Sequence, residues 1–131
     1  MKRIAFLAVL ALAVGCTPKE QPWSISQALQ SAVEAGAYLY GHQDDLSYGH
    51  NWTVESPESD DATRSDVLAV CGRYPAIVGY DLGGIELGEE ANLDGVNFDF
   101  MRRSAVAHSE RGGIVTFSWH LRNPLTGGDV W

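Results

Sequence analysis

Three short apolar runs, separated by polar loops and helical patterns, constrain the fold of this chain more than any other feature. The runs lie at residues 37–40, 76–80 and 114–119. Each stops at a glycine or a polar residue, as short buried strands do. Strands that alternate with helices pair in parallel through right-handed crossovers. The order therefore predicts an α/β fold with a parallel sheet.

A helical pattern precedes each predicted strand. Ser24 and Gln27 have the spacing of a capping box, and an apolar stripe at helical spacing follows them. Gly36 can end this helix, because glycine readily adopts the left-handed conformation found at helix C-termini. The other two helices are predicted near residues 66–71, closed by Gly72, and at about residues 97–110, broken by Gly112 and Gly113.

A doubly wound sheet and a (β/α)8 barrel both have this order of elements, and two features favour the barrel. The loops after the strands are long and rich in polar and aromatic residues, whereas those before the strands are short. In a barrel the site is built from the loops that follow the strands. The first strand also lacks the glycine-rich turn of dinucleotide-binding folds. We predict a partial (β/α)8 TIM barrel containing about the first three βα units.

The third predicted strand alternates between small polar and large apolar side chains. Small polar residues that lead to a histidine at the C-terminal end of a strand suit the mouth of a polar site in a barrel. An edge strand with its polar face in water explains the pattern equally well. The two faces are Thr116, Ser118 and His120 on one side, and Val115, Phe117 and Trp119 on the other.

The N-terminus has the pattern of an export signal. Lys2 and Arg3 precede an apolar run at residues 4–14, followed by Gly15 and Cys16. This run is too short to span a bilayer, and its basic start and small closing residue are typical of a signal peptide. We therefore predict a signal peptide at residues 1–15.

The position of the first cysteine resembles a bacterial lipoprotein box. Cys16 would then be the lipidated first residue, although Ala13 stands where that motif usually has leucine, so ordinary signal peptidase cleavage stays open. Residues 16–23 are predicted to form a tether, and residues 24–131 the N-terminal part of a catalytic domain. The expected location is a bacterial membrane, at the cell surface or in the periplasm, with the lipid as anchor.

The chain is strongly acidic. Its net charge is -8, and it becomes -10 when the two positive charges of Lys2 and Arg3 are removed. Nucleic-acid binding requires clustered lysine and arginine against phosphate, so this class of partner is excluded. A neutral polysaccharide is compatible with an acidic protein.

Polar residues cluster where each predicted strand ends, and they permit two kinds of enzyme. A metal-dependent hydrolase could use histidine and carboxylate ligands to activate water. A sugar site could use acids and amides for hydroxyl groups, with Trp52, Trp119 or Tyr48 as flat surfaces. Asp81 and Glu86 could form an acid/base pair, but two acids in one loop are more often simply solvated. The candidate metal ligands are His42, Asp44, Asp81 and His120.

An ordered series of motifs from about residue 37 onward resembles the N-terminal third of glycoside hydrolase family 26. Each motif is weak alone, but the set, closing on tryptophan-histidine and asparagine-proline, is fairly specific. The motifs are Gly41-His42-Gln43, Tyr48-Gly49, Ser65-Asp66-Val67, the run from Tyr74 to Asp81, Arg111 to Ile114, and Ser118 to Pro124.

The resemblance implies endo-acting hydrolysis of β-1,4-mannan, glucomannan or galactomannan with retention of configuration, without a cofactor or a metal. His120 would touch the sugar just before the scissile bond, and Asp81 would lie on the floor of the same groove. Trp119 and Asn123 would shape the groove, although an outward core position for Trp119 stays equally open. His42 is a further substrate-binding candidate. His50 and His108 are assigned to the surface and to helix packing.

The family's acid/base and nucleophile are glutamates on the fourth and seventh strands, so the resemblance places both beyond residue 131. We therefore expect a glycosidase by family whose 131 residues form an inactive fragment with no catalytic residue. A non-catalytic surface glycan-binding lipoprotein is the alternative, and a metal-dependent hydrolase is a more remote one.

Overall fold

A computed structural model describes residues 24–54 and 63–128, which form a parallel sheet with helices beside it. The sheet has the strand order β1-β4-β5, and both neighbouring pairs are parallel. Strands are thus added in chain order, which confirms the predicted parallel pairing. The strands are β1 (Gly41–Gln43), β2 (Tyr48–Gly49), β3 (Trp52–Thr53), β4 (Ile77–Asp81) and β5 (Ile114–Ser118).

The three predicted helices are present, and local capping explains their ends. Helix α1 begins with the complete capping box of Ser24 and Gln27. Asn97 caps the third helix by accepting hydrogen bonds from two backbone N–H groups. Gly72 ends the second helix with φ 70°, the left-handed conformation that glycine adopts without strain. The bounds are α1 (Ile25–Glu34), α2 (Asp66–Cys71) and α3 (Phe98–Glu110).

The predicted first strand was wrong in position. The apolar run at residues 37–40 lies before the ladder, and Tyr38 is 87% exposed. Pairing starts where the neighbouring strand starts: the Tyr40 carbonyl accepts from the N–H groups of Ala76 and Ile77. Only residues from Gly41 onward have a partner strand, so β1 contains the polar residues that the sequence placed after it.

The loop after β1 contains a small hairpin that the sequence analysis did not predict. Strands β2 and β3 pair antiparallel across a tight turn in which Asn51 has φ 62°. Asp66, at the start of α2, accepts hydrogen bonds from the His50 backbone N–H (2.5 Å) and the Trp52 indole N–H (2.7 Å). These bonds attach the hairpin to α2.

The core lies between the sheet and α3. Val78 and Tyr80 on β4 pack against Phe100 and Met101, and the Tyr80 hydroxyl hydrogen-bonds Ser104 at 2.6 Å. Burial raises the Tyr80 pKa to about 12. Because side chains alternate along β4, Asp81 belongs to the opposite face of the sheet from Tyr80.

The face away from α3 carries exposed polar side chains at Gln43 and Thr116. Gln43, Gly79 and Thr116 are register partners across the three strands. A side chain at Gly79 would collide with the Gln43 amide oxygen and approach the Thr116 hydroxyl to 3.3 Å. Glycine at this position therefore leaves room above β4 for the Gln43 side chain.

The N-terminal helix differs from the core helix. No residue of α1 is buried, and Ile25 and Val33 of its apolar stripe are 55% and 77% exposed. Within the described ranges, no helix is long and apolar enough to cross a membrane. The predicted signal peptide, Cys16 and the tether fall at residues 1–23, outside the described residues.

Candidate functional site

The candidate site lies where β4 and β5 end. Asp81 is the last residue of β4, and Ser118, the last of β5, is its register partner. Parallel strands place their C-terminal ends at one edge of a sheet, so the segments that follow both strands meet there. The strand ladder thus brings Asp81 and His120 together, although 39 residues separate them.

Asp81 is 3% exposed and accepts a dense set of hydrogen bonds. Its Oδ2 accepts from the Ser118 hydroxyl at 2.7 Å and contacts His120 Nδ1 at 2.5 Å. Its Oδ1 accepts from the backbone N–H of Gly83 at 2.7 Å and, more weakly, from that of His120 at 3.5 Å. Both carboxylate oxygens are therefore engaged in holding the end of β5.

The charge state of Asp81 determines which ring nitrogen of His120 carries the proton. Burial alone would raise the Asp81 pKa, but hydrogen bonds from Ser118, Gly83 and His120 outweigh burial and lower it. An ionised carboxylate only accepts hydrogen bonds, so His120 Nδ1 carries the proton. In the neutral ring, Nε2 is then the acceptor nitrogen. The His120 side chain is 42% exposed.

Glu86 occupies the loop after β4, on a 3-10 turn at Ile85–Leu87. Its Oε2 accepts from the Trp119 indole N–H at 3.1 Å, and its Oε1 accepts from the Arg122 backbone N–H at 3.0 Å. These bonds, led by that from Arg122, lower the Glu86 pKa to about 2. Asp81 therefore binds the end of β5 and Glu86 binds the segment after it, and neither is arranged as half of an acid/base pair.

Two asparagines build the loops around this edge. Asn92 is buried, donates to the Asp81 carbonyl at 3.0 Å, and accepts from the Val96 N–H at 2.9 Å. Asn123 is exposed, and its side-chain oxygen accepts from the Leu125 N–H at 2.9 Å. This bond closes a local turn. The Asn123 side chain therefore shapes the segment after β5 by bonding to the backbone of that segment.

The end of β1 places its polar residues differently. His42 is 44% exposed; its Nδ1 lies 2.9 Å from the Gln43 carbonyl and 3.7 Å from Asp45 Oδ1. Asp45 is fully buried and accepts from the Ser65 hydroxyl and, at 3.4 Å, from the Val67 N–H. Asp45 thereby joins the β1 end to the start of α2.

Asp44 is the exception at this end. It is fully buried with φ 52°, and its Oδ1 has no hydrogen-bond partner in the described part of the chain. Burial, with the negative charge of Asp94, raises its pKa to about 6, against a weaker lowering by the Gln43 amide. Ionisation of Asp44 therefore costs more free energy here than it does in water.

Of the three predicted aromatic platforms, only Trp119 is broadly accessible. Trp52 is 8% exposed, and the Arg64 guanidinium stacks 4.7 Å from its ring centre. Tyr48 is half-buried and packs against the core. Trp119 is 51% exposed and lies next to His120. The expectation that Trp52 could face a sugar was therefore wrong, because the hairpin turns its ring inward.

Comparison with known proteins agrees with this geometry. The model of glycosyl hydrolase family 26 matches residues 19–131. The chain belongs to this family. Over 89 residues it is 33% identical to a mannan endo-1,4-β-mannosidase of Bifidobacterium adolescentis, an alignment covering 65% of this chain and 9% of that protein.

Two solved mannanase structures resemble the fold. A GH26 β-mannanase from Bacteroides ovatus is 46% identical, with a TM-score of 0.68, over 79% of this chain and 28% of that chain. An endo-β-1,4-mannanase double mutant from Cellulomonas fimi is 27% identical, with a TM-score of 0.54, over 79% and 23%. The chain thus spans less than a third of each relative's length.

The metal-hydrolase alternative finds no support in residues 24–54 and 63–128. No group of three or more histidine, cysteine, aspartate or glutamate side chains in these ranges could hold a metal ion. His120 contacts Asp81, whereas His42 lies beside Asp45. The four proposed ligands therefore divide between two strand ends.

Sequence reasoning overlooked three residues that organise this edge: Ser118 as a partner of Asp81, Glu86 as a hydrogen-bond acceptor, and Asn92 as a loop-builder. The sequence did contain a signal for Ser118: because side chains alternate along a strand, Ser118 and His120 point to the same face. Glu86 and Asn92 act across loops of irregular conformation, where sequence spacing does not indicate contacts.

Proposed function

We propose that the chain forms the first part of the (β/α)8 catalytic domain of an endo-acting, retaining β-1,4-mannan hydrolase. Family 26 membership supports this, as do relatives named as mannanases. The three-stranded parallel sheet, with its strands in chain order, is consistent with the opening of such a barrel. Mannan, glucomannan and galactomannan are the proposed substrates.

The Asp81–His120 contact at the C-terminal edge of the sheet carries the proposal. A barrel enzyme binds its substrate at this edge. Because Asp81 fixes the proton on Nδ1, His120 Nε2 is suited to accept a hydrogen bond from a sugar hydroxyl. Fixing the ring before the sugar arrives reduces the ordering required on binding. The exposed Trp119 ring beside it offers an apolar surface to a sugar ring.

Cleavage with retention needs a carboxylate nucleophile and a carboxylic acid/base across the glycosidic bond. The family resemblance assigns both to strands after β5, and Asp81 and Glu86 are occupied by structural hydrogen bonds. We propose that residues 1–131 supply sugar contacts and no catalytic group. By themselves they should release no reducing sugar from mannan, since covalent and proton-transfer catalysis each contribute orders of magnitude in rate.

The test is a fusion of this chain to the remaining part of the Bacteroides ovatus β-mannanase catalytic domain. The fusion should cleave mannan, and His120→Ala should lower kcat/KM by about tenfold or more, as expected for loss of one sugar hydrogen bond in an ordered site. His50→Ala, an exposed histidine on the hairpin, is the matched control. A folded fusion that binds manno-oligosaccharides tightly without cleaving them would instead favour a glycan-binding protein.

We also propose that the protein is exported and lipidated at Cys16, from the basic start, apolar run and cysteine at residues 2–16. Mass spectrometry of the membrane fraction should then find an N-terminal Cys16 carrying acyl chains. Cys16→Ser should release the protein from membranes. A soluble species cut at another residue would contradict lipidation and leave export standing.

A further inference from the structure

The end of β5 and the segment after it are held from two sides by two carboxylates, Asp81 at the end of β4 and Glu86 in the loop that follows. Ser118 and His120 bond to Asp81, whereas the Trp119 side chain and the Arg122 backbone bond to Glu86. Strand alternation explains the division, because successive side chains of an extended segment point to opposite faces. The two carboxylates therefore enclose the segment that carries the sugar-contact candidates.

The Glu86 bonds differ from ordinary surface contacts. Glu86 is exposed, and most exposed ion pairs contribute little because water competes and two side chains must be ordered. Here the donors are the Arg122 backbone N–H, the Trp119 indole N–H and, at 3.1 Å, the Gly84 backbone N–H. One glutamate side chain thus makes three charge-assisted hydrogen bonds, and two of the donors are backbone groups that have no side chain to order.

We propose that Glu86 is a positioning residue that fixes the Trp119 indole and the backbone at Arg122, and so keeps His120 seated against Asp81. Glu86 touches neither sugar nor reacting atoms in this role. The inference deepens the proposed function, and its consequence for cleavage rests on that function. Its structural content does not, because the hydrogen bonds concern this chain alone.

The structural content is tested by hydrogen exchange and NMR of the chain at neutral pH. Trp119→Phe assigns the Trp119 indole signal among the four tryptophans. Glu86→Ala should speed exchange at both the Trp119 indole and the Arg122 amide by about tenfold or more, as expected for loss of hydrogen bonds to a charged acceptor. Glu86→Gln should retain protection at one of the two groups, since an amide has one accepting oxygen.

Glu90→Gln is the matched control, because it removes the same charge from the same exposed loop. It should leave both exchange rates unchanged. Equal exchange in wild type and Glu86→Ala would overturn the proposal. A general loss of protection across β4 and β5 would also overturn it, because Glu86 would then support the fold as a whole.

The consequence for cleavage is measured in the fusion with the Bacteroides ovatus domain. Glu86→Ala should raise KM for manno-oligosaccharides by about tenfold, with a smaller change in kcat, because binding contacts are displaced and catalytic groups are not. Glu90→Gln should change neither constant. If the wild-type fusion does not cleave, the proposed function fails, while the exchange data still decide whether Glu86 holds Trp119 and Arg122. An unchanged KM in Glu86→Ala would contradict positioning directly.

Discussion

The two polar strand ends of this sheet are built in opposite ways. At the ends of β4 and β5, the buried Asp81 has hydrogen bonds to both carboxylate oxygens and a lowered pKa. At the end of β1, the equally buried Asp44 has one oxygen with no partner among the described residues and a pKa raised to about 6. Asp81 has more hydrogen-bond donors around its carboxylate, whereas burial of Asp44 is reinforced by the negative charge of Asp94.

This contrast distinguishes a site organised before its ligand arrives from a strand end under electrostatic strain. Asp81 is surrounded by donors from β5 and its own loop, so its charge stabilises the arrangement that orients His120. Asp44 receives one side-chain amide bond, from Gln43 at 3.3 Å. We therefore expect substitutions at the two aspartates to change stability in opposite directions.

The largest effect should follow Asp81→Ala. The change removes the acceptor of the buried Gly83 N–H and that of the more exposed Ser118 hydroxyl and His120 Nδ1. The loss of hydrogen bonds to a charged acceptor, together with donors left unsatisfied, predicts a loss of about 3 kcal/mol in the free energy of unfolding. Urea denaturation followed by tryptophan fluorescence measures it. Asp99→Ala, an exposed aspartate on α3, should cost far less.

Asp44→Asn should act in the opposite direction. Asparagine has nearly the same shape and tolerates φ 52°, and it removes a charge that burial disfavours. The pKa rise from 3.8 to about 6 corresponds to at most about 3 kcal/mol of stability regained at neutral pH.

The pH dependence of Asp44→Asn follows from the sign of the shift. A carboxyl whose pKa is raised by folding contributes stability below its unfolded value of 3.8, and this contribution is lost as pH rises through about 6. The variant should therefore match wild type below about pH 4 and exceed it increasingly up to about pH 6–7. A gain that is constant with pH would contradict a raised Asp44 pKa.

Most of the fold was predictable because local signals determine it. The capping box at Ser24, Gly72 at the end of α2, and the apolar strands β4 and β5 all acted as their sequence indicated. The first strand was misplaced because its position depends on where β4 begins, which is a tertiary constraint. The same limit applied to the hairpin, whose orientation depends on Asp66 in α2.

The site was predictable in part. Asp81 and His120 follow from strand ends, and the ladder brings them into contact. The separation of His42 from that pair could not be foreseen, because it depends on the register in which β1 pairs with β4. The partners of Asp44 were equally hidden, since loop conformation decides which donors reach a buried carboxylate.

Ser65→Ala tests the hydrogen bonds that join the β1 end to α2. It should have an intermediate effect on the free energy of unfolding. The Ser65 hydroxyl donates to Asp45 and accepts from the Leu68 N–H at 2.9 Å as the cap of α2. The variant loses the cap of α2 and the donor to the buried Asp45 carboxylate. We therefore expect a loss of about 1–2 kcal/mol in the free energy of unfolding. Ser65→Thr, which keeps the hydroxyl, should retain most of the stability.

His42→Ala should have the smallest effect and sharpens the comparison most directly. The His42 ring is nearly as exposed as that of His120, at 44% against 42%, but its aspartate contact is 3.7 Å long instead of 2.5 Å. An exposed pair at that distance contributes about 0–1 kcal/mol, so unfolding should change by less than about 1 kcal/mol. In the fusion, His42→Ala should also lower kcat/KM for manno-oligosaccharides much less than His120→Ala, because no buried carboxylate within hydrogen-bond distance orients its ring. Equal losses from the two variants would show that the β1 end contributes to sugar binding as much as the β4–β5 edge does.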